Sequence, residues 1–306
     1  MTGPFHIGTR GSALALVQAD EVKKALHAPT EIVVIKTEGD IDLTSQLGAT
    51  KPGFFSSVIQ QRLLAGGIDM AAHSLKDLPT DPVAGLRVAA VLPRASASDL
   101  LLVRQKWVDE TALFPVREGC VTGTSATRRM ALAKHFAPHA VTASIRGNVP
   151  TRIRKMTDGD YGAIVIARAG VDRLHLDLSG LAAYELDPLL WTPAPGQGAV
   201  AVEIRSRDDA LAELLDHIDC ADTHTAVNIE RSLLAGFEGG CRMAFGAYAE
   251  HSGGGTWRVH IGLERNDEWQ WGMREGDAEQ LMALRPADVT FGPLTGDATG
   301  ILCRRL

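Results

Sequence analysis

The 306-residue chain lacks most of the features that would declare its class, and each absence removes a possibility. Only four cysteines occur, Cys120, Cys220, Cys241 and Cys303, and no two of them form a Cys-x-x-Cys pair. Such spacing argues against a zinc site and against a disulfide framework. Aromatic residues make up 5% of the chain, and no run of ~18 apolar residues is present to cross a membrane. Met1 to Arg10 shows no basic segment followed by an apolar one, so no secretory leader is expected and the cytoplasm is the expected location. No Gly-x-x-x-x-Gly-Lys-Ser/Thr loop or Gly-x-Gly-x-x-Gly is found, which removes the usual reasons to expect a nucleotide. The net charge of -6 argues against general nucleic-acid binding.

What is present begins with length, enough for two or three domains of ~100–150 residues. Charge is distributed unevenly. Between Gly119 and Leu174, nine Lys/Arg face three acids (Asp158, Asp160, Asp172), so the middle third is basic inside an acidic protein. A solvated surface stripe accounts for this at no cost. A site for a polyanion is the alternative, because arginine presents a fork that grips carboxylates or phosphates bidentately.

The hydrophobic pattern predicts a strand over Phe5 to Thr9, then Arg10-Gly11-Ser12 leading into a helix from Ala13 to Leu26. A strand over Glu31 to Thr37 follows, then an aperiodic loop from Glu38 to Gly53 and a helix from Phe55 to Ala65. Strands are expected over Asp69 to Ala72, Leu86 to Leu92 and Asp99 to Val103. The plan restarts near Cys120: a strand ending at Thr122, a helix to His135, a strand over Val141 to Ile145, a helix from Pro150 and a strand over Ala163 to Ala167. Pro193 to Gly198 reads as a linker, followed by a strand over Ala199 to Ile204 and a helix over Asp208 to Ile218. From Thr223 the character changes to one helix, three strands broken at Gly253-Gly254-Gly255 and Asn266-Asp267, and a last helix over Asp277 to Leu284. The expected fold is α/β, with two similar open-sheet domains flanking a cleft and a small C-terminal α+β domain carrying a three-stranded antiparallel sheet.

Arg10 to Ser12, Thr124 to Arg129 and Arg146 to Arg152 each place cations or free N–H donors at a helix start, where unpaired N–H groups and the dipole favour anions. Asp77 follows Lys76 in a turn after a buried strand, where open sheets put ligands. It is either a turn-capping aspartate or a carboxylate that stabilises positive charge and moves protons. His73 is expected to be a packed histidine. Cys241 sits in Glu238-Gly239-Gly240-Cys241, a glycine-hinged loop between helix and strand, where a structural thiol and an anchoring one are both open readings.

Seven segments, in order along the whole chain, resemble the porphobilinogen deaminase family. They are Thr9 to Ala15, Ala72 to Pro79, Gly123 to Arg129, Ile145 to Arg152, Ala169 to Leu174, Pro193 to Ala199, and Glu230 to Cys241. The resemblance implies three domains: 1–97 with 194–218, 98–193, and 219–306. It implies a dipyrromethane cofactor held covalently on Cys241 through a thioether. Porphobilinogen units then lose ammonia, add to this cofactor through an azafulvene, and are released as hydroxymethylbilane. It further implies that Asp77 is catalytic, stabilising pyrrole nitrogens and cationic intermediates. By the same resemblance Ser12, Lys76, Thr124, Ser125, Arg128, Arg129 and Arg146 bind the cofactor. Arg10, Lys51, Arg152 and Arg173 bind substrate carboxylates, and a monomer without nucleic-acid or membrane partners is expected.

The chain departs from the family pattern at three places. Lys51-Pro52-Gly53-Phe54-Phe55-Ser56-Ser57-Val58 stands for Gly-Lys-Gly-Leu-Phe-x-Lys-Glu, Ala126 replaces a serine, and Met243-Ala244-Phe245-Gly246 replaces Val-Pro-Ile-Gly. A lost charge-assisted bond is worth roughly 1.5–3 kcal/mol, so a diverged paralogue making a shorter or modified oligomer is one alternative. A non-catalytic polyanion-binding module on the same two lobes is another.

Overall fold

A computed structural model describes residues 3–36, 57–237, 244–294 and 302–306. Contacts divide the chain into two compact units, Met1–Ala95 with Gly198–Thr225, and Ser96–Gln197 with Ala226–Leu306.

The first unit opens with β1 (Phe5–Thr9), α1 (Ala13–Leu26) and β2 (Thr30–Val34). It continues with α2 (Ser57–Leu64), β3 (Met70–Ser74), a 3-10 turn at Leu75–Asp77 and β4 (Leu86–Val91). Its sheet runs β2-β1-β3-β10-β4, where β10 (Val200–Arg205) comes from beyond the linker and lies antiparallel to both β3 and β4. Both faces are covered, as mostly parallel sheets demand. On one face Ile7, Met70 and Val202 pack with Val22 and Leu26 of α1 and with Leu211 and Leu215 of α6 (Asp209–Leu215). On the other, Ala71 packs with Ile59 and Leu63 of α2. Each such fully buried side chain contributes about 1.5–3 kcal/mol before conformational entropy is subtracted.

The second unit holds β5 (Asp99–Arg104), β6 (Val121–Gly123), α3 (Thr127–Phe136), β7 (Val141–Ala143), α4 (Val149–Thr157) and β8 (Ala163–Ala167). These are followed by α5 (Arg168–Arg173) and β9 (Leu181–Leu186), and the chain closes with β14 (Cys303–Arg305). The sheet order is β14-β9-β5-β8-β6-β7. In β5 the run Leu100 to Val103 alternates between two cores: Leu100 and Leu102 pack with Met156 and Ile145, Leu101 and Val103 with Leu132, Phe114 and Trp191. A strand buried on both faces has no polar alternation, which is why it reads as a continuous apolar run. Neither β9 nor β14 is predicted from the sequence, and both are strands paired antiparallel at one side of this sheet.

The same unit contains α7 (Ala221–Phe237) from Ala226 onward, β11 (Phe245–Gly253), β12 (Thr256–Arg265), β13 (Glu268–Gly276) and α8 (Ala278–Met282). The three strands form an antiparallel sheet whose Ala247, Val259 and Ile261 bury Ile229, Leu233 and Phe237 of α7. Asn266 and Asp267, at φ 53° and 64°, make the tight β12–β13 turn, matching the left-handed pair of a two-residue hairpin. A Cβ on Gly246 would lie 2.6 Å from the Thr192 carbonyl, so glycine lets β11 seat on the chain before the linker. Glu230 is 0% exposed, and its two carboxylate oxygens accept from the Gly196 and Ala249 amides at 2.7 and 3.0 Å. That joins linker, helix and sheet and gives the Glu230-Arg231-Ser232 segment a physical purpose.

Candidate functional site

In the first unit the site begins where β1 ends. Thr9 is buried and its hydroxyl donates to the carbonyls of Ala15 and Ala72, tying the start of α1 to β3. Ser12 is the N-cap of α1, in extended conformation, and its Oγ accepts from the Ala15 amide at 3.3 Å. The capped start of a 14-residue helix then faces an open depression on the surface of this unit. Arg10, Ser12, Gln18, Ser74 and Asp77 line it, so one carboxylate, one guanidinium and three neutral hydrogen-bonding groups share a concave surface. Asp77 is exposed at the end of the 3-10 turn after β3, and Lys76 beside it is half-buried. Arg10, Ser12 and Asp77 are therefore brought together.

Gln18 and Ser74 are lining residues that the motif reading did not single out. The Gln18 amide donates to the Ser74 hydroxyl at 2.8 Å, and that hydroxyl donates back to Gln18 Oε1 at 3.0 Å. A signal existed: Gln18 is a polar residue one turn from both Leu14 and Val22, inside the apolar stripe of α1.

In the second unit two strand-to-helix turns lie side by side. β6 and β7 pair in parallel, and the Thr124 amide donates to the Ala143 carbonyl at 2.9 Å. Ser125 links the turns: its hydroxyl donates to the Ile145 carbonyl at 2.6 Å and accepts from the Ile145 amide at 3.0 Å. Beyond Ile145, Gly147 has φ 114°, and a Cβ there would lie 2.6 Å from Thr151 Cγ2, so only glycine passes. Asn148 caps α4 by accepting from the Thr151 amide at 3.0 Å. Arg146 and Arg152 are half-buried at this start, with Arg152 Nε donating to the Gly147 carbonyl at 2.8 Å. Arg173 is half-buried at the end of α5.

α3 differs from α4. Its N-cap is Ala126, which offers no side-chain acceptor, so the first-turn N–H groups of α3 have no capping oxygen from that residue. That is the donor set a carboxylate takes.

Arg128 and Arg129 lie deeper than a ligand-gripping pair would, at 5% and 6% exposure. Both converge on Asp99, which is 0% exposed. Arg128 Nη2 donates to it at 2.7 Å, Arg129 donates bidentately at 3.1 and 2.7 Å, and Trp191 Nε1 and Gln197 Nε2 complete its shell at 2.9 and 2.8 Å. Burial alone would raise the Asp99 pKa, but Arg128 and then Arg129 outweigh it and hold the carboxyl far below the usual carboxylate range. Two guanidiniums against one carboxylate leave a buried net positive charge at the first turn of α3, complementary to an anion. Asp99 itself carries no motif, though an acid opening the strand Asp-Leu-Leu-Leu-Val is a polar residue that must find partners.

Lys51 and Cys241, with the rest of 37–56 and 238–243, lie outside the described residues. Among the described residues no group of three or more His, Cys, Asp and Glu side chains is arranged to hold a metal ion. No described helix is long and apolar enough to cross a membrane.

A family model described as "Porphobilinogen deaminase, dipyromethane cofactor binding domain" matches residues 5–213. Porphobilinogen deaminase of Nocardia farcinica is 43% identical over 252 residues, covering 81% of this chain and 70% of that protein. The probable porphobilinogen deaminase of Methanocella arvoryzae is 42% identical, covering 81% of each. Porphobilinogen deaminase of Micrococcus luteus is 38% identical across 96% of this chain and 86% of its own length. The chain is also similar to the BvgS periplasmic VFT2 domain of Bordetella pertussis, at TM-score 0.40 and 14% identity over 70% of this chain and 86% of that one. A likeness of that size adds nothing to the topology above. The family model over more than half of the chain and relatives matched over most of their length agree, and the chain belongs to the porphobilinogen deaminase family.

Proposed function

We propose that the protein is a hydroxymethylbilane synthase-type transferase that condenses porphobilinogen units, with loss of ammonia, into a linear tetrapyrrole. The observation that carries this beyond family membership is the pocket in which Asp77 shares one concave surface with Arg10 and the capped start of α1. A pyrrole bearing two carboxylate arms and a leaving ammonium needs those groups together. Arg10 and Ser12 bind the arms, and Asp77 stabilises the positive charge that develops on the ring as ammonia departs. Asp77 is also placed to accept the proton that leaves the ring carbon afterwards.

The residues fit a dipyrromethane, whose side arms are carboxylates. The open first turn of α3 at Ala126, the net positive Arg128–Arg129–Asp99 group and the half-buried Arg146 form an anion-binding set on one unit. When bound through Cys241, the cofactor supplies the nucleophilic pyrrole carbon to which new units are joined. Thr124 and Ser125 shape the turns, Lys76 contributes a cation beside Asp77, and Lys51, Arg152 and Arg173 meet carboxylates of the incoming unit. The described contacts of Arg128 and Arg129 support a role as a fixed field under the carboxylates rather than as mobile clamps.

The chain is read as three domains with the boundaries given above, acting in the cytoplasm as a monomer on a small molecule. Neither the paralogue nor the solute-binding module is favoured by relatives of 38–43% identity that are named as deaminases. Incubating the purified protein with porphobilinogen and identifying the products by mass tests the reading: a linear tetrapyrrole is expected, and shorter oligomers or no consumption would overturn it.

A further inference from the structure

Beneath the pocket of the first unit lies a polar chain that the proposed chemistry does not use. Glu203 of β10 is 5% exposed and His73 of β3 is 8% exposed, and both sit on the sheet face that α2 covers with Ile59 and Leu63. The ladder sets Ala201 opposite His73, so Glu203, two residues on, is its diagonal neighbour on the same face. His73 Nε2 and Glu203 Oε2 are 3.2 Å apart, and Gln60 Nε2 of α2 donates to Glu203 Oε1 at 2.9 Å.

Three features set this apart from ordinary core packing. A buried carboxylate and imidazole stand where apolar side chains would be at least as stable. The two facing atoms are close but not lined up as a hydrogen bond, so both remain under-satisfied. Finally, the β4–β10 ladder slips between Val202 and Glu203, and such slips re-aim side chains near sites. His73 also borders the pocket that holds Asp77, four residues further along the chain.

We propose that Glu203 and His73 are positioning residues for Asp77: Glu203 orients the imidazole, and the imidazole braces the end of β3 from which the 3-10 turn carries Asp77 into the pocket. This rests on the reading in which Asp77 acts in porphobilinogen condensation. Hydrogen bonds that support catalysis are commonly misaligned without ligand and tighten when the site is filled. The Nε2–H tautomer of His73, donating to Glu203, is the arrangement this requires.

The test uses the holoenzyme. Glu203→Gln keeps size and shape while removing the charge. It is expected to lower kcat by about tenfold or more, as a misplaced catalytic group does, with KM within about twofold. The melting temperature stays unchanged or rises, and the covalent mass addition matches that of the unaltered protein. A wild-type kcat, or a loss of kcat that follows a loss of melting temperature, overturns the proposal and leaves the functional reading intact. Nitrogen-15 NMR of the unaltered protein, with His73 assigned by His73→Gln, provides a readout that needs no variant at Glu203. A signal for protonated Nε2 that sharpens or moves on porphobilinogen addition is expected, and a Nδ1–H tautomer overturns the proposal. Absence of porphobilinogen turnover in the unaltered protein would remove the functional reading, and the proposal with it.

Discussion

Asp77 and Asp99 are two carboxylates in opposite surroundings, one open to solvent and one sealed from it. Asp77 is exposed at the mouth of a pocket with an arginine and a helix start, where a negative charge can meet a cation that exists only during reaction. Asp77→Asn should retain the fold and lose turnover by about 10²–10³-fold, the scale for removing one group that acts on transition-state charge. Steady-state kinetics beside a circular-dichroism spectrum checks this, and near-normal turnover contradicts the role. Asp99 instead anchors two buried guanidiniums and never meets solvent. Asp99→Asn leaves those charges without their partner and should cost about 3–5 kcal/mol in chemical denaturation. The sign of the pH dependence follows from the lowered pKa. Its stabilising contribution is fully present above the unfolded-chain value of ~3.9 and fades as the pH falls below it. The gap between wild type and Asp99→Asn should therefore narrow in acid, and a gap that widens there contradicts the assignment.

At the scale of elements, helix starts do most of the work, and α1, α3 and α4 solve the same problem differently. Ser12 and Asn148 cap α1 and α4 with side-chain oxygens, whereas Ala126 leaves α3 open. Ala126→Ser should add a cap and raise stability by about 1 kcal/mol, seen as a higher denaturation midpoint. The new hydroxyl competes for the same N–H groups as a bound carboxylate, so cofactor loading should not improve in proportion. What could be read from the sequence follows this logic. The α1 boundaries at Ala13 and Leu26 were legible because a capping serine precedes an apolar stripe. The strands Leu181–Leu186 and Cys303–Arg305 were not, since their identity depends on pairing with each other across more than a hundred residues. Asp99, Gln60 and Glu203 were missed for a related reason: each is a lone polar residue inside an apolar pattern, and its partners are distant in sequence.

For the whole molecule, the legible part was the order of seven family segments, and the folded chain gives those segments distinct physical jobs. Thr9 to Ala15 makes a capped turn at the pocket, Ala72 to Pro79 carries Asp77, and Glu230 fastens linker to sheet. Arg128 and Arg129 belong to one of these segments, and in the fold each of them pairs with the buried Asp99. The central claim remains that Cys241 holds a dipyrromethane on which porphobilinogen is condensed. Intact mass spectrometry of the purified protein tests it most directly. The expected mass exceeds that of the 306-residue chain by one dipyrromethane, an addition absent in Cys241→Ala together with all turnover. A purified protein that consumes porphobilinogen while its mass equals that of the bare chain would contradict it.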